Sequence, residues 1–418
     1  MKSRTVIILW LIAILLGVSV LLLKHSQGDE NNTATKRAPG QTLFEDFPAD
    51  KIATIEISGA EHTATLTEKD DKWTVAERDD YPADTRAIND LLRTLSELKV
   101  TQGIEAGPSF APRFGMDEKS SKPAEHGLRV SFKDSAGKEL AKAAFGKNLD
   151  AAGSSASAFG GGATGRYVRN YADESGFYAV SEVFGTLSED PKSWLSEEFI
   201  KVEKIQSIAL TQPGSDELEW KLTRDNENAD FEFTEAFPGV KIDTAATAPL
   251  KSLFSFARFE DVISNADLEK RANPEKLQKA TITTFEGLVY EVTLQPDKTA
   301  AGQSTPTTEN YLMTVSVTAE LPKERKKAEN EKKEEAEAAD KAFADRKEAL
   351  GESIAKTKAL EGRTFLVSKF TVDALLKNRA ALMDKGPGPG ESDKAPAPGT
   401  SATSDPVEIP PAPAAEDN

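Results

Sequence analysis

Two stretches of alternating apolar residues decide the fold: KIATIEI at Lys51–Ile57 and KIQSIAL at Lys204–Leu210. In both, isoleucine or leucine recurs every two or three positions with other residues between, a pattern typical of a strand with one buried face. The two Lys-Ile starts are 153 residues apart (204 − 51). Each stretch therefore opens one of two copies of a similar unit.

A helical stretch follows in each copy. The first is PADTRAINDLLRTLSELKV at 82–100, and the second is VKIDTAATAPLKSLFSFARFEDVI at 240–263. Apolar residues recur at helical spacing in both, and Asp84 or Asp243 precedes them as an N-cap. The sequence therefore predicts one main helix in each copy.

More alternating segments come after these helices. The first copy has GLRVSF, KELAKAAFG, RYVRNY and GFYAVS, and the second has ATITTFE, LVYEVTLQ, YLMTVSV and RTFLVS. Strands that follow one another closely in sequence pair in antiparallel fashion. We therefore predict an α+β fold of two tandem lobes of mainly antiparallel sheet, the first at 45–200 and the second at 201–383.

The second copy carries a long insertion at about 321–362. Alanine, glutamate and lysine dominate it, and opposite charges recur at helical spacing, so we predict a helix. Its few large apolar residues, among them Phe343 and Leu350, allow a weak coiled coil or an antiparallel hairpin. A solvated helix that protrudes from the lobe is the alternative. Residues 384–418, rich in proline and alanine, are predicted to be disordered.

The N-terminus reads as a membrane anchor. Thr5–Leu23 contains no charge and would span about 28 Å as a helix, close to the thickness of a bilayer core. Lys2 and Arg4 precede it, which favours a cytoplasmic N-terminus and an extracytoplasmic, periplasmic body. We predict a stub and transmembrane helix at 1–25, in contact with lipid, and a tether at 26–44. A cleaved signal peptide is the alternative.

Composition excludes several kinds of site. The net charge of −17 would repel phosphate backbones, so nucleic acid is not expected as a partner. Cysteine is absent, which removes thiolate chemistry and disulfides. Only His25, His62 and His126 could supply imidazole, and they lie far apart in the chain. We expect no metal site and no cofactor.

A glycine-rich motif and a set of acidic residues are possible sites. Gly160, Gly162 and Gly165 fit the spacing G-x-G-x-x-G, but a strand-like segment follows them, so a hairpin tip is the better interpretation. Several acidic residues could pair in a hydrolase but are more simply turns and solvated faces. They are Glu45, Asp46, Asp70, Asp71, Asp79 and Asp80.

Three tryptophans could line a carbohydrate platform. Trp73 and Trp220 fall in strand-like segments, where an aromatic side chain usually fills core. Trp194 follows Pro191 and is predicted to pack between the lobes. No residue is therefore predicted to be catalytic.

The order of these elements resembles the domain-of-unknown-function 4340 family over about Glu45–Lys377. The clearest parts are the Trp73 strand, Pro82–Asp84 and the stretch Trp194–Leu210. The resemblance implies an extracytoplasmic protein anchored at its N-terminus. Such proteins are often encoded beside ABC-type export permeases or components of gliding-motility systems.

We therefore expect a non-enzymatic accessory or scaffold protein that binds envelope proteins, an ABC-type exporter among them. One alternative is a module that binds an envelope glycan or a small ligand in an apolar cleft between the lobes. Another is an envelope hydrolase, which would need two buried acids of raised pKa in that cleft.

Overall fold

The computed structural model gives the fold of most of the body of the chain. It describes residues 35–150, 162–173, 176–235, 241–299, 309–319, 324–325 and 332–384. The predicted membrane segment and the predicted tail from residue 385 onward lie outside these ranges.

A nine-stranded sheet forms the first lobe, in the order β4-β3-β2-β1-β6-β7-β8-β9-β5. Its strands are β1 Thr54–Ser58, β2 Thr63–Lys69, β3 Lys72–Val75, β4 Tyr81–Pro82, β5 Val100–Ile104, β6 Leu128–Lys133, β7 Glu139–Asp150, β8 Ala163–Asn170 and β9 Phe177–Val180.

An eight-stranded sheet forms the second lobe, in the order β12-β11-β10-β14-β15-β16-β17-β13. Its strands are β10 Ile205–Thr211, β11 Leu218–Thr223, β12 Glu232–Phe233, β13 Asp261–Ile263, β14 Gln278–Thr284, β15 Leu288–Pro296, β16 Asn310–Ala319 and β17 Thr364–Ser368.

The two sheets have the same topology. Position by position, β3-β2-β1-β6-β7-β8-β9-β5 corresponds to β12-β11-β10-β14-β15-β16-β17-β13, and β4 is an additional edge strand of the first sheet. Neighbouring strands in both sheets are antiparallel. Ile55 and Ile208 occupy equivalent central positions, and both side chains are completely buried. The alternating pattern thus places one face of each central strand in the core.

The prediction of an α+β fold is wrong, because the described chain is mainly sheet with few helices. The helices are α1 Thr85–Glu97, α2 Pro123–His126, α3 Thr244–Thr247, α4 Asn265–Arg271, α5 Lys333–Lys358 and α6 Lys369–Val372. Only α1 and α5 exceed two turns.

The main helix of the first lobe forms as predicted. Asp84 caps α1 by accepting hydrogen bonds from the amides of Arg86 and Ala87 at 3.0 and 3.2 Å. The buried face carries Ile88, Leu91, Leu92 and Leu95.

The corresponding helix of the second lobe does not form. Asp243 does cap a helix, through the amide of Ala246 at 3.0 Å, but α3 ends after four residues. A 3-10 turn containing Pro249 replaces it, because proline has no amide hydrogen to continue an α-helix. Phe254 then takes a left-handed conformation with φ 61°. The rest of the predicted helix is loop and strand β13.

The insertion does contain a helix, α5. Its covered side chains recur three and four residues apart along one face, from Ala336 and Phe343 to Leu350 and Thr357. Leu350 and Thr357 are buried, and α5 contacts β16. The C-terminal half of the helix therefore packs on the second lobe.

The predicted transmembrane helix is not part of the observed fold. None of the helices in the described ranges is both long enough and apolar enough to cross a bilayer. The segment Thr5–Leu23 lies outside those ranges. The described part of the predicted tether is joined to the first lobe, where the amide of Leu43 donates to the carbonyl of Leu98 at 2.7 Å.

Candidate binding surfaces

The lobes meet along edge strand β13. Arg78, from the first lobe, donates from Nε and Nη2 to the two carboxylate oxygens of Asp261, at 2.7 and 3.0 Å. The side chains are 18% and 13% exposed. Burial lowers the pKa of Arg78, but the hydrogen bond and charge of Asp261 outweigh burial and raise that pKa. A largely buried bidentate ion pair thus fixes one lobe to the other.

The turn that follows Arg78 makes two further contacts with the second lobe. Asp79 has φ 52°, and its carboxylate accepts from the amide of Asn265, the first residue of α4, at 2.8 Å. A carboxylate near the N-terminus of a helix is favourable to the peptide dipoles. Arg363, immediately before β17, donates to the backbone carbonyls of Arg78 and Asp79. The left-handed turn is therefore held by the opposite lobe.

Four aromatic rings fill the centre of the junction. Tyr81 lies edge-on to Phe259 and Phe365 with centroids 5.8 and 6.0 Å apart. Phe199, in the linker between the lobes, lies 5.2 and 4.9 Å from the same two rings. The hydroxyl of Tyr81 donates to the carbonyl of Glu198 at 3.2 Å, and burial raises the pKa of this tyrosine. First lobe, linker and second lobe thus share one aromatic cluster.

A cavity of about 260 Å³ lies between α5, the turn between β14 and β15, and the linker. Glu286 forms its main polar contact, accepting from Arg346 at 2.7 Å and from Lys204 at 2.9 Å. Burial would raise the pKa of Glu286, but the hydrogen bonds and charges of these two cations lower it. The hydroxyl of Tyr290 is hydrogen-bonded to Ser353 on α5. The polar groups of this cavity are largely satisfied by one another.

A second space, a cleft of about 470 Å³, opens between the two lobes. We call it the interlobe cleft; Lys192, Ser193, Leu195 and Glu197 form one wall, and Ala257, Arg258, Phe259 and Glu260 form the other. Its volume falls within the usual range for ligand pockets.

Two phenylalanines project into solvent at the end of the second sheet beside this cleft. The side chain of Phe256 is 93% exposed and that of Phe370 is 92% exposed. Asp261 of β13 pairs with Leu366 of β17, so Phe256 before β13 and Phe370 after β17 leave the sheet at the same end. We call this region the Phe256/Phe370 end. Exposed apolar patches mark interaction sites, and aromatic side chains are enriched at protein interfaces.

The described carboxyl groups show no raised pKa, the property that a general acid would need. Every carboxyl group of the described residues whose pKa departs from its ordinary value departs downward. Asp297, for instance, is buried, which raises its pKa, but hydrogen bonds from Arg271 and Thr299 outweigh burial and lower it. Carboxylates of this kind hold cations in place and do not donate protons near neutral pH.

No group of three potential ligands for a metal ion occurs within the described ranges.

Asp70 and Asp71 occupy the tight β2–β3 turn with φ 50° and 58°, as predicted for turn residues. Asp79 is also in a turn, but its contact with Asn265 gives it a role in joining the lobes that its sequence context did not indicate.

Trp73 and Trp220 pack in the core, as predicted, and Trp194 is buried as well. Trp73, Trp194 and Trp220 are 5%, 1% and 2% exposed. The indole of Trp194 donates to the carbonyl of Ser188 at 2.8 Å, and that of Trp220 donates to Lys377 at 2.8 Å. These three rings are therefore too buried to form a carbohydrate platform.

The glycine motif is only partly described, because Gly160 lies outside the described residues. Gly165 lies inside β8, and a Cβ there would come within 2.0 Å of the carbonyl oxygen of Val180 on β9. This glycine is thus required by close packing of β8 against β9.

Sequence reasoning missed the residues that build the junction and the exposed end. Arg78 and Asp261 are 183 residues apart, and neither stands in a motif. Phe256 falls inside the stretch predicted to be helical, where its exposure could not be foreseen. The paired aspartates Asp79 and Asp80, both in left-handed conformation, are the one local signal, since consecutive aspartates favour tight turns.

Comparison with known proteins gives one match. A family model described as Domain of unknown function (DUF4340) matches residues 73–310, more than half of the chain. No curated protein matches the chain, and no solved structure matches it. The family predicted from the sequence is confirmed, whereas its association with membranes and export stays a prediction.

Proposed function

Because this chain belongs to the DUF4340 family, whose description states no activity, we propose from its geometry that it is a non-enzymatic scaffold that binds an envelope protein. The partner docks at the Phe256/Phe370 end. The exposure of these two rings, 93% and 92%, is the observation that carries the proposal.

The energetic argument concerns the apolar surface of Phe256 and Phe370, which the fold leaves in contact with water. A phenylalanine side chain contributes about 1.5–3 kcal/mol when it passes from water into an apolar contact. Aromatic side chains are also enriched among the few residues that dominate binding energy. Two nearly free rings at one end of a sheet are therefore a docking surface rather than part of the fold.

The junction supports the same proposal, because it holds the two lobes in one orientation. Arg78 with Asp261 and the aromatic cluster around Phe365 connect the lobes at separate points. The first lobe is then held in a fixed position beside the exposed rings of the second lobe, which lowers the ordering cost for a partner that contacts both lobes.

For the partner we propose an envelope protein, with an ABC-type exporter permease as the first candidate, from the family resemblance.

We also propose an extracytoplasmic location for the described body. The support is the positive charge of Lys2 and Arg4 ahead of the uncharged stretch Thr5–Leu23. Protease treatment of intact spheroplasts tests it: the body should be degraded, and full protection would place it inside.

The test of the binding surface is site-specific photo-crosslinking in cells. A benzoyl-phenylalanine replaces Phe256 or Phe370, and a control replaces Leu218, which is 47% exposed near the opposite edge of the sheet. We expect one and the same envelope protein to be crosslinked at positions 256 and 370 but not at 218. That protein, once purified, should bind the wild type and lose binding to Phe256→Asp.

Absence of a crosslinked protein at both positions would contradict the proposal, as would identical products at all three.

A second candidate function is the binding of a small ligand in the 260 Å³ cavity, where Leu288, Leu350 and Tyr290 supply apolar walls and a hydroxyl. A native mass spectrum of protein purified from its source cells tests this, since a retained ligand would add a defined mass that Leu350→Trp removes.

A further inference from the structure

The interlobe cleft holds a cation that the rest of the described chain does not neutralise. Within the described ranges, no carboxylate lies within ion-pair distance of Arg258, and no hydrogen bond holds its guanidinium. Lys192, on the opposite wall, is by contrast paired with Asp190 at 3.1 Å. Arg258 is exposed and has no ion pair with a described residue, although the chain carries 69 acidic residues against 52 lysines and arginines.

The surroundings of Arg258 are apolar on one side and acidic on the other. Phe259, next to it, belongs to the aromatic cluster and lines the cleft together with Leu195. Glu260 accepts a hydrogen bond from Asn310 at 3.0 Å, so one carboxylate of the cleft already has a partner. Glu197, on the first wall, is the charge that would oppose an acidic ligand.

From this arrangement we infer that the interlobe cleft receives an extended segment of the partner in which a carboxylate stands beside an apolar side chain. The carboxylate pairs with Arg258, and the apolar side chain lies on the partly exposed ring of Phe259. Arginine presents a planar fork of donors that a carboxylate can accept in bidentate fashion. This inference rests on the proposed function and names the chemistry of the partner.

The position of Phe256 supports the inference. It stands two residues before Arg258 in the same segment, so a partner that covers the exposed ring also reaches the mouth of the cleft. Hot spots of protein interfaces combine aromatic and arginine side chains in this way. The cleft also needs both lobes, since each contributes one wall.

The experiment selects a random peptide library on phage against the purified full chain and measures the affinity of the selected synthetic peptides by fluorescence anisotropy. We expect these peptides to share an aspartate or glutamate beside an aliphatic or aromatic residue. Arg258→Glu should weaken their binding at least tenfold, as loss of a charged hydrogen bond implies. Glu197→Gln should strengthen it, because the opposing charge is removed.

The matched control is Lys221→Glu, the same change of charge at an exposed strand residue near the far edge of the sheet. It should leave affinity unchanged, and equal melting temperatures would show that all variants fold. No enriched peptide, enriched peptides without an acidic residue, or equal affinity for Arg258→Glu would each overturn the inference. If the inference fails but crosslinking at Phe256 persists in Arg258→Glu, the proposed function still holds.

Discussion

Replacing Arg78 with alanine tests whether the junction is held by its ion pair. The change removes two charge-assisted hydrogen bonds and leaves the carboxylate of Asp261, 13% exposed, with the amide of Val262 as its remaining donor at 2.8 Å. Breaking a fully buried pair costs about 3–5 kcal/mol, and a pair in water costs below about 1 kcal/mol. For this largely buried pair we expect a loss of about 2–3 kcal/mol.

The measurement is urea unfolding monitored by tryptophan fluorescence. Trp73 reports on the first lobe in one protein background, and Trp220 reports on the second lobe in another. Asp261→Ala and the double variant complete a thermodynamic cycle, which cancels the bond of Asp261 to its neighbouring amide. Lys69→Ala is the control, because its pair with Asp80 is 55% and 47% exposed and should contribute less than about 1 kcal/mol.

The expected coupling energy between positions 78 and 261 is about 1.5 kcal/mol or more. A coupling energy below about 0.5 kcal/mol is indistinguishable from additivity and would refute the reasoning. In that case the aromatic cluster alone would hold the lobes together.

Three further predictions concern single elements. Because the pKa of Glu286 in the folded protein lies below its ordinary value of 4.5, its ion pairs stabilise fully above about that pH and less as the pH falls through the folded value. The stability difference between wild type and Glu286→Gln, from urea titrations, should therefore shrink below pH 4.5. Leu350→Ala should cost about 2–3 kcal/mol, because this buried side chain fixes α5 to the second lobe. Asp84→Ala should cost about 1 kcal/mol by thermal or urea unfolding, and Asp243→Ala less, because it caps only one turn.

Each of these has a contradicting result. A stability difference for Glu286→Gln that does not change with pH would mean that the carboxylate is not held by its cations. A cost below about 0.5 kcal/mol for Leu350→Ala would mean that α5 does not depend on this contact. Equal costs for the two aspartate variants would show that the length of the capped helix does not matter.

The local sequence pattern was sufficient to predict an element where neighbours in sequence are also neighbours in space. The alternation around Ile55 and Ile208 gave the central strands, and Asp84 gave the start of α1. The same reasoning failed at 240–263, where apolar spacing suggested a long helix. There Pro249 ends α3, and Phe254 turns the chain into a loop that leads to β13.

The candidate site could not be predicted in the same way. Arg78 and Asp261 lie on different lobes, and a pairing across 183 residues leaves no periodic signal. Hydrophobicity also misled, since a phenylalanine is expected in the core and Phe256 and Phe370 are almost fully exposed. Exposure of an aromatic ring is a property of the assembled surface and is not encoded in local spacing.

The covering of β13 by the first lobe has a consequence for fragments of the chain. β13 is the edge of the second sheet; in the intact protein Arg78 pairs with its Asp261, and Asp79 contacts Asn265 just beyond it. A fragment that begins after the first lobe would present this edge to other chains, and uncovered edges add strands from neighbouring molecules. We therefore expect the second lobe, once separated by proteolysis, to self-associate more readily than the intact protein.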